Sequence, residues 1–343
     1  MNTYPPPIPV NIITGFLGSG KTSIVQQLLA SPELEETAVL VNEFGEIGLD
    51  HHLFKGLTES TILMQNGCVC CAIRGDLNEG LRDLFSQMTR GEIPAFRRVI
   101  IETSGMADPV PIAYTIQTEP VVRHHYRLGN IVTAVDAVSG QGQLQRYSES
   151  VKQAAIADRI IVTKTDLVEK ADVEQLITAL RRFNAAAQIQ DGNKDRLDPV
   201  TLFATDSDEN APADSAAPGW FSGNATGITP GLDHEHAGSV HSFTITYETP
   251  IDWTAFGIWM TMLLHRHGDK ILRIKGLLNV DGMAAPVLIN GVQHVVHAPD
   301  HLTGWPDGDR RSRLVFIVDG IDQSKIAASL DAFNCLANPA VPA

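Results

Sequence analysis

The feature that most constrains the fold of this 343-residue chain is the run GFLGSGKT at residues 15–22. An apolar segment precedes the run and a helical pattern follows it, which is the setting of a phosphate-binding loop. Its glycines let the backbone turn with the N–H groups pointing inward, toward phosphate oxygens. Lys21 would bring positive charge to the β- and γ-phosphates, and Thr22 would offer its hydroxyl to Mg²⁺. The residues predicted to hold a nucleotide here are Gly15, Gly18, Ser19, Gly20, Lys21, Thr22 and Ser23.

Short apolar segments alternate with amphipathic ones over the first two hundred residues. Strands that are almost continuously apolar are typical of a parallel sheet covered by helices on both faces. The clearest helical pattern covers residues 172–183, and Asp172 with Gln175 resembles a capping box at its start. Residues 1–205 therefore predict a doubly wound α/β domain of the P-loop NTPase type, with a mostly parallel sheet. The predicted strands are 8–14, 38–41, 98–103, 131–135 and 159–163.

Residues 206–239 are rich in Asp, Ala, Pro, Gly and Ser and keep no hydrophobic period, so they predict a flexible linker or surface loop. They include His234 and His236, with His241 shortly after. This group is either a weak metal-capturing cluster or part of a solvated polar loop. Residues 240–343 then predict a smaller, mostly antiparallel α+β domain.

Local patterns place the elements of this second domain. Asp252 is predicted to cap a helix that runs to about His267 and ends at Gly268 in a left-handed conformation. Asn290 and Gly291 predict the turn of a β-hairpin. The remaining predicted elements are strands 243–247, 287–289, 292–296 and 313–318 and a helix at 324–333.

Glu102 ends an apolar strand and is followed by Thr-Ser-Gly. An acidic side chain at that end of a strand can hold Mg²⁺ through its water shell, and Gly105 can then let a backbone N–H approach the γ-phosphate. The alternative is an ordinary strand-end carboxylate. We predict Lys21, Thr22 and Glu102 as the catalytic groups, with Thr22 and Glu102 serving Mg²⁺. Weaker candidates for activating the attacking water are Asp76 and Asp108.

The tetrapeptide TKTD at residues 163–166 follows a late strand of the same domain. A carboxylate at Asp166 can accept hydrogen bonds from N1–H and the exocyclic amine of guanine, which adenine does not offer. Lys164 can lay its aliphatic stem over the base. The pattern resembles the Asn-Lys-x-Asp motif of GTPases, with Thr163 in place of the usual asparagine. It favours GTP as the nucleotide; a capped loop is the alternative.

Three of the four cysteines, Cys68, Cys70 and Cys71, fall within four residues. Thiolates are soft ligands that suit Zn²⁺, and also Co²⁺ or Cu⁺. Three of them do not close a four-sulfur cage, so a further ligand must come from elsewhere or from water. Buried inert cysteines and a thiol–disulfide pair are the alternatives, and Cys335 is predicted to pack as a small apolar residue. The candidate further ligands are Glu43 and Glu46, and with less support His51, His52, His124 and His125.

The net charge of −14 argues against a nucleic acid or an anionic membrane as partner, because both require a basic surface. No apolar run is long enough to cross a bilayer, and the Pro-rich segment 1–9 does not have the pattern of a signal peptide. Clustered cysteines are typical of metal or redox chemistry in a reducing compartment. A cytoplasmic location is therefore predicted.

Taken together, these motifs resemble the CobW-type family of metal-chaperone GTPases, over nearly the whole chain. The resemblance implies slow GTP hydrolysis coupled to binding of a transition metal, most often Zn²⁺, and to its delivery to a client metalloprotein. It implies that Lys21 and Thr22 serve the phosphates and Mg²⁺. The segments that carry it are 15–22, 42–46 (NEFGE), 68–71 (CVCC), 102–109 (ETSGMADP), 163–166 and 267–273 (HGDKILR).

By the same resemblance, Cys68, Cys70 and Cys71 serve the metal, and Lys164 and Asp166 serve guanine. We hypothesise that GTP with Mg²⁺ orders residues 42–46 and draws the cysteines into a tight metal site, which hydrolysis loosens. The alternatives are a regulatory GTPase with structural zinc, a zinc-buffering or docking protein that binds GTP without turnover, and a P-loop kinase or ATPase. A homodimer is a further option.

Overall fold

The computed structural model describes residues 6–41, 62–65, 69–193, 197–204 and 240–337, and of 62–65 and 69–76 it describes the backbone. The chain divides into two compact units. One contains residues 1–176 and 189–205, and the other contains residues 177–188 and 206–343. The predicted linker lies outside the described residues, and the boundaries at 205 and 239 stay predictions.

The first unit is built on a seven-stranded sheet in the order β3-β2-β4-β1-β5-β6-β7. All the pairings among the first six of these strands are parallel. Ile12, Val39, Ile100 and Val132 are fully buried, because helices cover both faces of the sheet. The predicted parallel α/β fold is confirmed. The strands are β1 Ile8–Gly15, β2 Thr37–Val41, β3 Ile62–Gln65, β4 Arg98–Glu102, β5 Tyr126–Asp136, β6 Arg159–Thr163 and β7 Gln188–Asp191.

The described residues before position 205 contain eight α-helices. The helices are α1 Lys21–Leu29, α2 Val69–Thr89, α3 Val110–Thr118, α4 Pro120–His125, α5 Gly140–Arg146, α6 Ser148–Ile156, α7 Lys170–Phe183 and α8 Pro199–Phe203. The capping-box prediction for α7 was wrong by two residues, because the helix begins at Lys170 and Asp172 already lies in its first turn. Among the described residues, no helix has the length and apolar character needed to span a membrane.

The second unit contains a six-stranded sheet in the order β11-β10-β9-β13-β8, with β12 paired to β10, and its described pairings are antiparallel. Trp259 is buried between the two helices and the sheet: its ring meets Phe316, and its Nε1–H donates to Ser329 Oγ at 2.8 Å. The predicted α+β domain is confirmed. Its elements are β8 Val240–Tyr247, α9 Trp253–His267, β9 Ile271–Leu278, β10 Val287–Val292, β11 Val295–Val296, β12 Asp300–His301, β13 Ser312–Asp319 and α10 Gln323–Ala337.

The prediction for α9 was right at the start of the helix and wrong at its end. Asp252 caps the helix as predicted, with its Oδ1 accepting the Ala255 N–H at 2.7 Å. The left-handed end at Gly268 was wrong, because Gly268 has φ −57° and the chain continues into a 3-10 turn to Lys270. A Cβ on Gly268 would overlap the ring of His294. Glycine is therefore required here for space.

The predicted hairpin turn at Asn290 and Gly291 was also wrong, since both residues lie inside β10 and pair with β9. The turn to β11 lies at Gln293 and His294, and Gln293 carries the positive φ of 49°. The Asn290 carboxamide oxygen instead accepts a hydrogen bond from Arg273 at 2.9 Å. This cross-strand contact occupies the side chain that the turn prediction relied on.

Candidate functional site

The phosphate loop leaves the carboxyl end of β1, at the centre of the sheet, and enters α1 at Lys21. Gly15, Gly18 and Gly20 have φ values of 143°, 75° and 86°. A Cβ on Gly15 would collide with the carbonyl oxygen of Ala134 in β5. The loop can therefore close against the sheet only with glycine at this position.

Lys21 is nearly buried, and its ammonium group is folded back over the loop. Its Nζ donates to the carbonyl oxygens of Gly15 at 2.9 Å and Phe16 at 3.1 Å. Ser19 is fully buried, and its hydroxyl has no hydrogen-bond partner within the described part of the chain. Ser23 is exposed in the first turn of α1. The Lys21 ammonium therefore lies on the backbone loop where phosphate is predicted to bind.

Thr22 and Glu102 meet at the start of α1, although eighty positions separate them in the sequence. The Thr22 hydroxyl donates to Glu102 Oε1 at 2.6 Å, and Glu102 is only 4% exposed. Two hard oxygen donors side by side next to a phosphate loop fit Mg²⁺. When bound, Mg²⁺ would neutralise phosphate charge there. The structure therefore brings together the two residues predicted to serve this ion.

The segment after Glu102, residues 103–109, runs close beside the phosphate loop. Thr103 is tied to β1, because its N–H donates to Ile13 O at 3.0 Å and its hydroxyl to Thr14 Oγ1 at 2.8 Å. A Cβ on Gly105 would lie 2.8 Å from the backbone N of Leu17, so this glycine allows the two loops to touch. Asp108 Oδ1 accepts the Val110 N–H at 3.0 Å, which gives Asp108 a role at the start of α3.

The base motif also contacts the phosphate loop. Thr163 is buried, and its hydroxyl donates to the carbonyl oxygen of Ser19 at 2.8 Å, so threonine here makes a direct anchor to the phosphate loop. Lys164 has a φ of 56°, and its Nζ donates to Gly18 O at 2.8 Å and Asp136 Oδ2 at 2.6 Å. The lysine stem therefore spans from the base motif to the phosphate loop.

Sequence patterns did not identify three residues of this region as part of the site. Asp136 ends β5 one residue beyond the predicted strand, and its buried carboxylate pairs with Lys164. Asn193 donates from Nδ2 to Asp166 Oδ1, while its Oδ1 accepts the Lys164 N–H at 3.1 Å. Asp191 Oδ1 in turn accepts from the Thr165 hydroxyl at 2.6 Å and the Asn193 N–H at 3.1 Å. The Asp-Gly-Asn turn signal after β7 was the available clue.

The metal-ligand predictions fall mostly outside the described residues, which exclude Glu43, Glu46, His51, His52 and Cys68. The backbone of Cys70 and Cys71 lies in the first turn of α2. Within the described part of the chain, His, Cys, Asp and Glu side chains form no group of three or more that could hold a metal ion.

His125, the last residue of α4, lies against a part of α2 that is too far from those cysteines for it to complete a site with them. Its ring stacks on Phe85, with centroids 3.8 Å apart, and Phe85 follows Cys71 by fourteen residues on the same helix. At 1.5 Å per residue that is about 21 Å. His124 contacts His125, and desolvation, followed by the neighbouring charge of His124, lowers the pKa of His125. The structure thus contradicts the suggestion that these two histidines join the cysteine site.

The register of the sheet fixes where the two segments outside the described residues leave it. Val41, the last residue of β2, pairs with Glu102, and Gln65, the last residue of β3, pairs with Val41. Neighbouring strands are about 4.8 Å apart, so both chain exits lie within about 10 Å of Glu102 at the same edge of the sheet. The residues that follow are Asn42–Glu46 and Cys68–Cys71.

A glycine-rich loop, a folded-back lysine and a Thr–Glu pair at the carboxyl edge of a parallel sheet define a P-loop nucleotide hydrolase. The chain belongs to the CobW/HypB/UreG family: the family's nucleotide-binding domain matches residues 9–191, and the cobalamin synthesis protein cobW C-terminal domain matches residues 240–334. It is a GTPase, as the base motif predicted.

The relatives match either nearly the whole chain or a little over half of it. The zinc chaperone YjiA of Escherichia coli is 32% identical over 326 residues, which are 94% of this chain and 98% of YjiA. The crystal structure of Zn(II)-bound YjiA GTPase from E. coli has a TM-score of 0.71 at 29% identity, covering 96% of this chain and 99% of that one. Zinc-regulated GTPase metalloprotein activator 1 of Schizosaccharomyces pombe is 32% identical over 202 residues, or 57% of this chain and 48% of that protein.

The substitution Asp166→Asn should change which base is preferred. An asparagine side chain at this position would present an amide donor to the exocyclic amine of guanine, and the same donor would suit the carbonyl of xanthine there. We expect the affinity for GTP to fall about 10²-fold and the preference to shift toward xanthosine triphosphate. Competition binding with the two triphosphates measures the ratio of their affinities. Asp172→Asn, at an exposed position of α7, is the control. An unchanged ratio would remove Asp166 from base recognition.

Proposed function

We propose that this GTPase is a metallochaperone that binds Zn²⁺ at Cys68, Cys70 and Cys71 and delivers it to a client apo-metalloprotein. The relatives named zinc chaperone and zinc-regulated GTPase metalloprotein activator support a metal-handling role. The observation that carries the coupling is the sheet register, in which the exits toward Asn42–Glu46 and Cys68–Cys71 lie beside Glu102. The nucleotide and the metal are then handled at one edge of one sheet.

The nucleotide half of the proposal assigns roles to this chain's own residues. Lys21 would exchange its contacts with the Gly15 and Phe16 carbonyls for the β- and γ-phosphates. Thr22 and Glu102 would hold Mg²⁺, which supplies charge neutralisation at the phosphates. Asp166, oriented by Asn193, would accept the guanine donors. Gly105, which lies against Leu17, would bring a backbone N–H to the γ-phosphate.

The metal half follows from the ligand chemistry. Three thiolates bind Zn²⁺ tightly but leave a position for Glu43, Glu46 or water, whereas structural zinc sites usually have four protein ligands. An incomplete site can pass its ion to a client that offers a better set. Co²⁺ is the alternative cargo, since thiolates alone do not select between the two metals. Hydrolysis of GTP would loosen the site and time the release.

Zinc binding should therefore depend on the nucleotide. We expect Zn²⁺ to bind about 10- to 100-fold more tightly with a non-hydrolysable GTP analogue than with GDP, because coupling of 1–3 kcal/mol is typical between linked sites. Competition against a chromophoric chelator measures both affinities. Linkage requires Zn²⁺ to tighten the analogue by the same factor, which is an internal check. Equal zinc affinities in the two nucleotide states would refute the proposal.

A regulatory GTPase with structural zinc is distinguished by removing the metal. A structural zinc site contributes to folding, so chelation would then unfold the protein or lower its melting temperature sharply. The chaperone proposal expects a folded apo form whose melting temperature in the absence of nucleotide stays close to that of the zinc-bound form. Circular dichroism melting before and after chelation decides between them.

The proposal extends to partners and location. The proposed client is an apo-metalloprotein. Neither a nucleic acid nor a membrane is proposed as partner, because the chain is strongly acidic. Three clustered thiols suit a reducing compartment, so we propose a cytoplasmic location. Light scattering with each nucleotide would establish whether a homodimer forms when GTP is bound.

A further inference from the structure

Gln153 is a buried carboxamide on α6 that faces the segment after Glu102. It is 1% exposed, and its Nε2 donates to the carbonyl oxygens of Gly105 at 3.2 Å and Ala107 at 3.0 Å. Its backbone carbonyl is fixed by the Thr133 hydroxyl of β5 at 2.8 Å. The amide thus reaches from a helix anchored on the sheet to the backbone of residues 103–109.

Residues 103–109 are held from two sides. On one side, Gly105 lies against the backbone of Leu17 in the phosphate loop. On the other side, Gln153 holds the carbonyls of Gly105 and Ala107. Tyr147, directly before α6, stacks on Phe16 with ring centroids 4.7 Å apart. The α6 segment therefore contacts both the phosphate loop and the loop that follows Glu102.

Only the donor end of the Gln153 amide is used. Both contacts are carbonyl oxygens, which accept hydrogen bonds, so the amide orientation is determined. The Oε1 atom is buried and has no partner among the described residues. A buried acceptor without a hydrogen bond is unfavourable, so α6 packing by itself does not explain a glutamine here. Its two donated hydrogen bonds to the loop do.

We propose that Gln153 is a positioning residue for GTP hydrolysis, which holds residues 103–109 so that Gly105 can meet the γ-phosphate. The Gln153 amide restrains the peptide group that follows Gly105. Leu17 limits where the Cα of Gly105 can lie. The arrival or loss of the γ-phosphate at the phosphate loop then acts on a segment that is already oriented. The inference rests on the γ-phosphate contact of Gly105 in the proposed function, but not on the metal site.

Two variants test the donor role of Gln153. Gln153→Met keeps the length and burial of the side chain without any donor, and Gln153→Glu replaces the donor with a carboxylate that faces two carbonyls. We expect kcat and the affinity for a non-hydrolysable GTP analogue each to fall about tenfold, because two hydrogen bonds are lost. GDP affinity should stay within about twofold, since GDP has no γ-phosphate. Phosphate-release kinetics and fluorescent-nucleotide titration provide these values.

Asn130 supplies a matched control with the same chemistry elsewhere in the unit. It is buried, and its Nδ2 donates to the carbonyl oxygens of Leu202 at 2.9 Å and Ala204 at 2.8 Å. Asn130→Ala and Asn130→Asp should lower the melting temperature and leave the GTP-to-GDP affinity ratio unchanged.

The outcomes separate this inference from the metal proposal. The Gln153 variants could melt at a lower temperature, as the Asn130 variants do, yet keep kcat and the ratio of GTP-analogue to GDP affinity. Gln153 would then be only structural and the inference wrong. The wild type could instead bind Zn²⁺ equally well with either nucleotide, while the Gln153 variants show a lower ratio of GTP-analogue to GDP affinity. In that case the metallochaperone proposal fails and this inference stands. Gln153→Met is the deciding variant if Gln153→Glu does not fold.

Discussion

Replacing Lys21 with alanine is expected to lower kcat/KM for GTP hydrolysis by about 10³-fold, the loss typical when a preorganised donor is removed from a transition state. The lysine ammonium lies over the phosphate loop, held by the Gly15 and Phe16 carbonyls, where it can move to the phosphates over a short distance. The Lys164 ammonium also reaches this loop, at Gly18 O, but its side chain is 39% exposed. Phosphate release measured over a range of GTP concentrations, with Mg²⁺ in excess, provides the measurement.

A lysine outside the site controls for the loss of charge. Lys170 at the start of α7 is 84% exposed and pairs with Glu174, so Lys170→Ala should turn over GTP like the wild type. Because Lys21 also binds two carbonyl oxygens, melting curves of Lys21→Ala are needed alongside its kinetics. A folded Lys21→Ala protein that retains kcat/KM within about tenfold of wild type would show that phosphate chemistry does not depend on this residue.

Replacing both Cys70 and Cys71 with serine should weaken Zn²⁺ binding by about 10⁴-fold. Structural zinc sites gain roughly 10–16 kcal/mol from four ligands, so each thiolate contributes about 10²-fold or more. The backbones of both residues lie in the first turn of α2, and the strand before it, β3, ends at Gln65, which pairs with Val41. Chelator competition with the GTP analogue bound gives the affinity, and basal GTP hydrolysis with Mg²⁺ but without Zn²⁺ should persist.

Cys335 is the matched control, since it is an exposed cysteine with a free thiol near the end of α10. The prediction that it packs as a small apolar residue was therefore wrong. Cys335→Ser should leave the zinc affinity unchanged. If the Cys70/Cys71 double variant binds Zn²⁺ as tightly as the wild type, the metal is held elsewhere and the cargo site proposed at Cys68–Cys71 is wrong.

The fold was predictable where short apolar runs carry the signal. Strands 159–163 and 8–14 match β6 and β1 closely, because a strand buried on both faces needs apolar residues at every position. The second domain was predicted less well at its turns. Gly268 and Asn290–Gly291 look like local turn signals, but contacts with His294 and Arg273 decide their conformations.

The candidate site divides in the same way. The phosphate loop, Glu102 and the base motif could be predicted from the sequence, because each prediction depends on a few neighbouring residues. Asp136, Asn193 and Gln153 were missed because each acts on a partner at least 27 positions away in sequence. No periodicity or local motif reports such a contact, and the pairing becomes visible only when the strands are in register.

The sequence by itself determined the parallel α/β domain, the phosphate loop and the family resemblance. Their physical causes are local: backbone freedom at glycine, burial of apolar runs, and charge at the start of a helix. Only the tertiary structure decided that Thr22 meets Glu102, that Thr163 is anchored on Ser19, and that the exits toward the cysteines lie beside Glu102. Those relations depend on strand order and register, because sheet pairing brings together segments that are far apart in the chain.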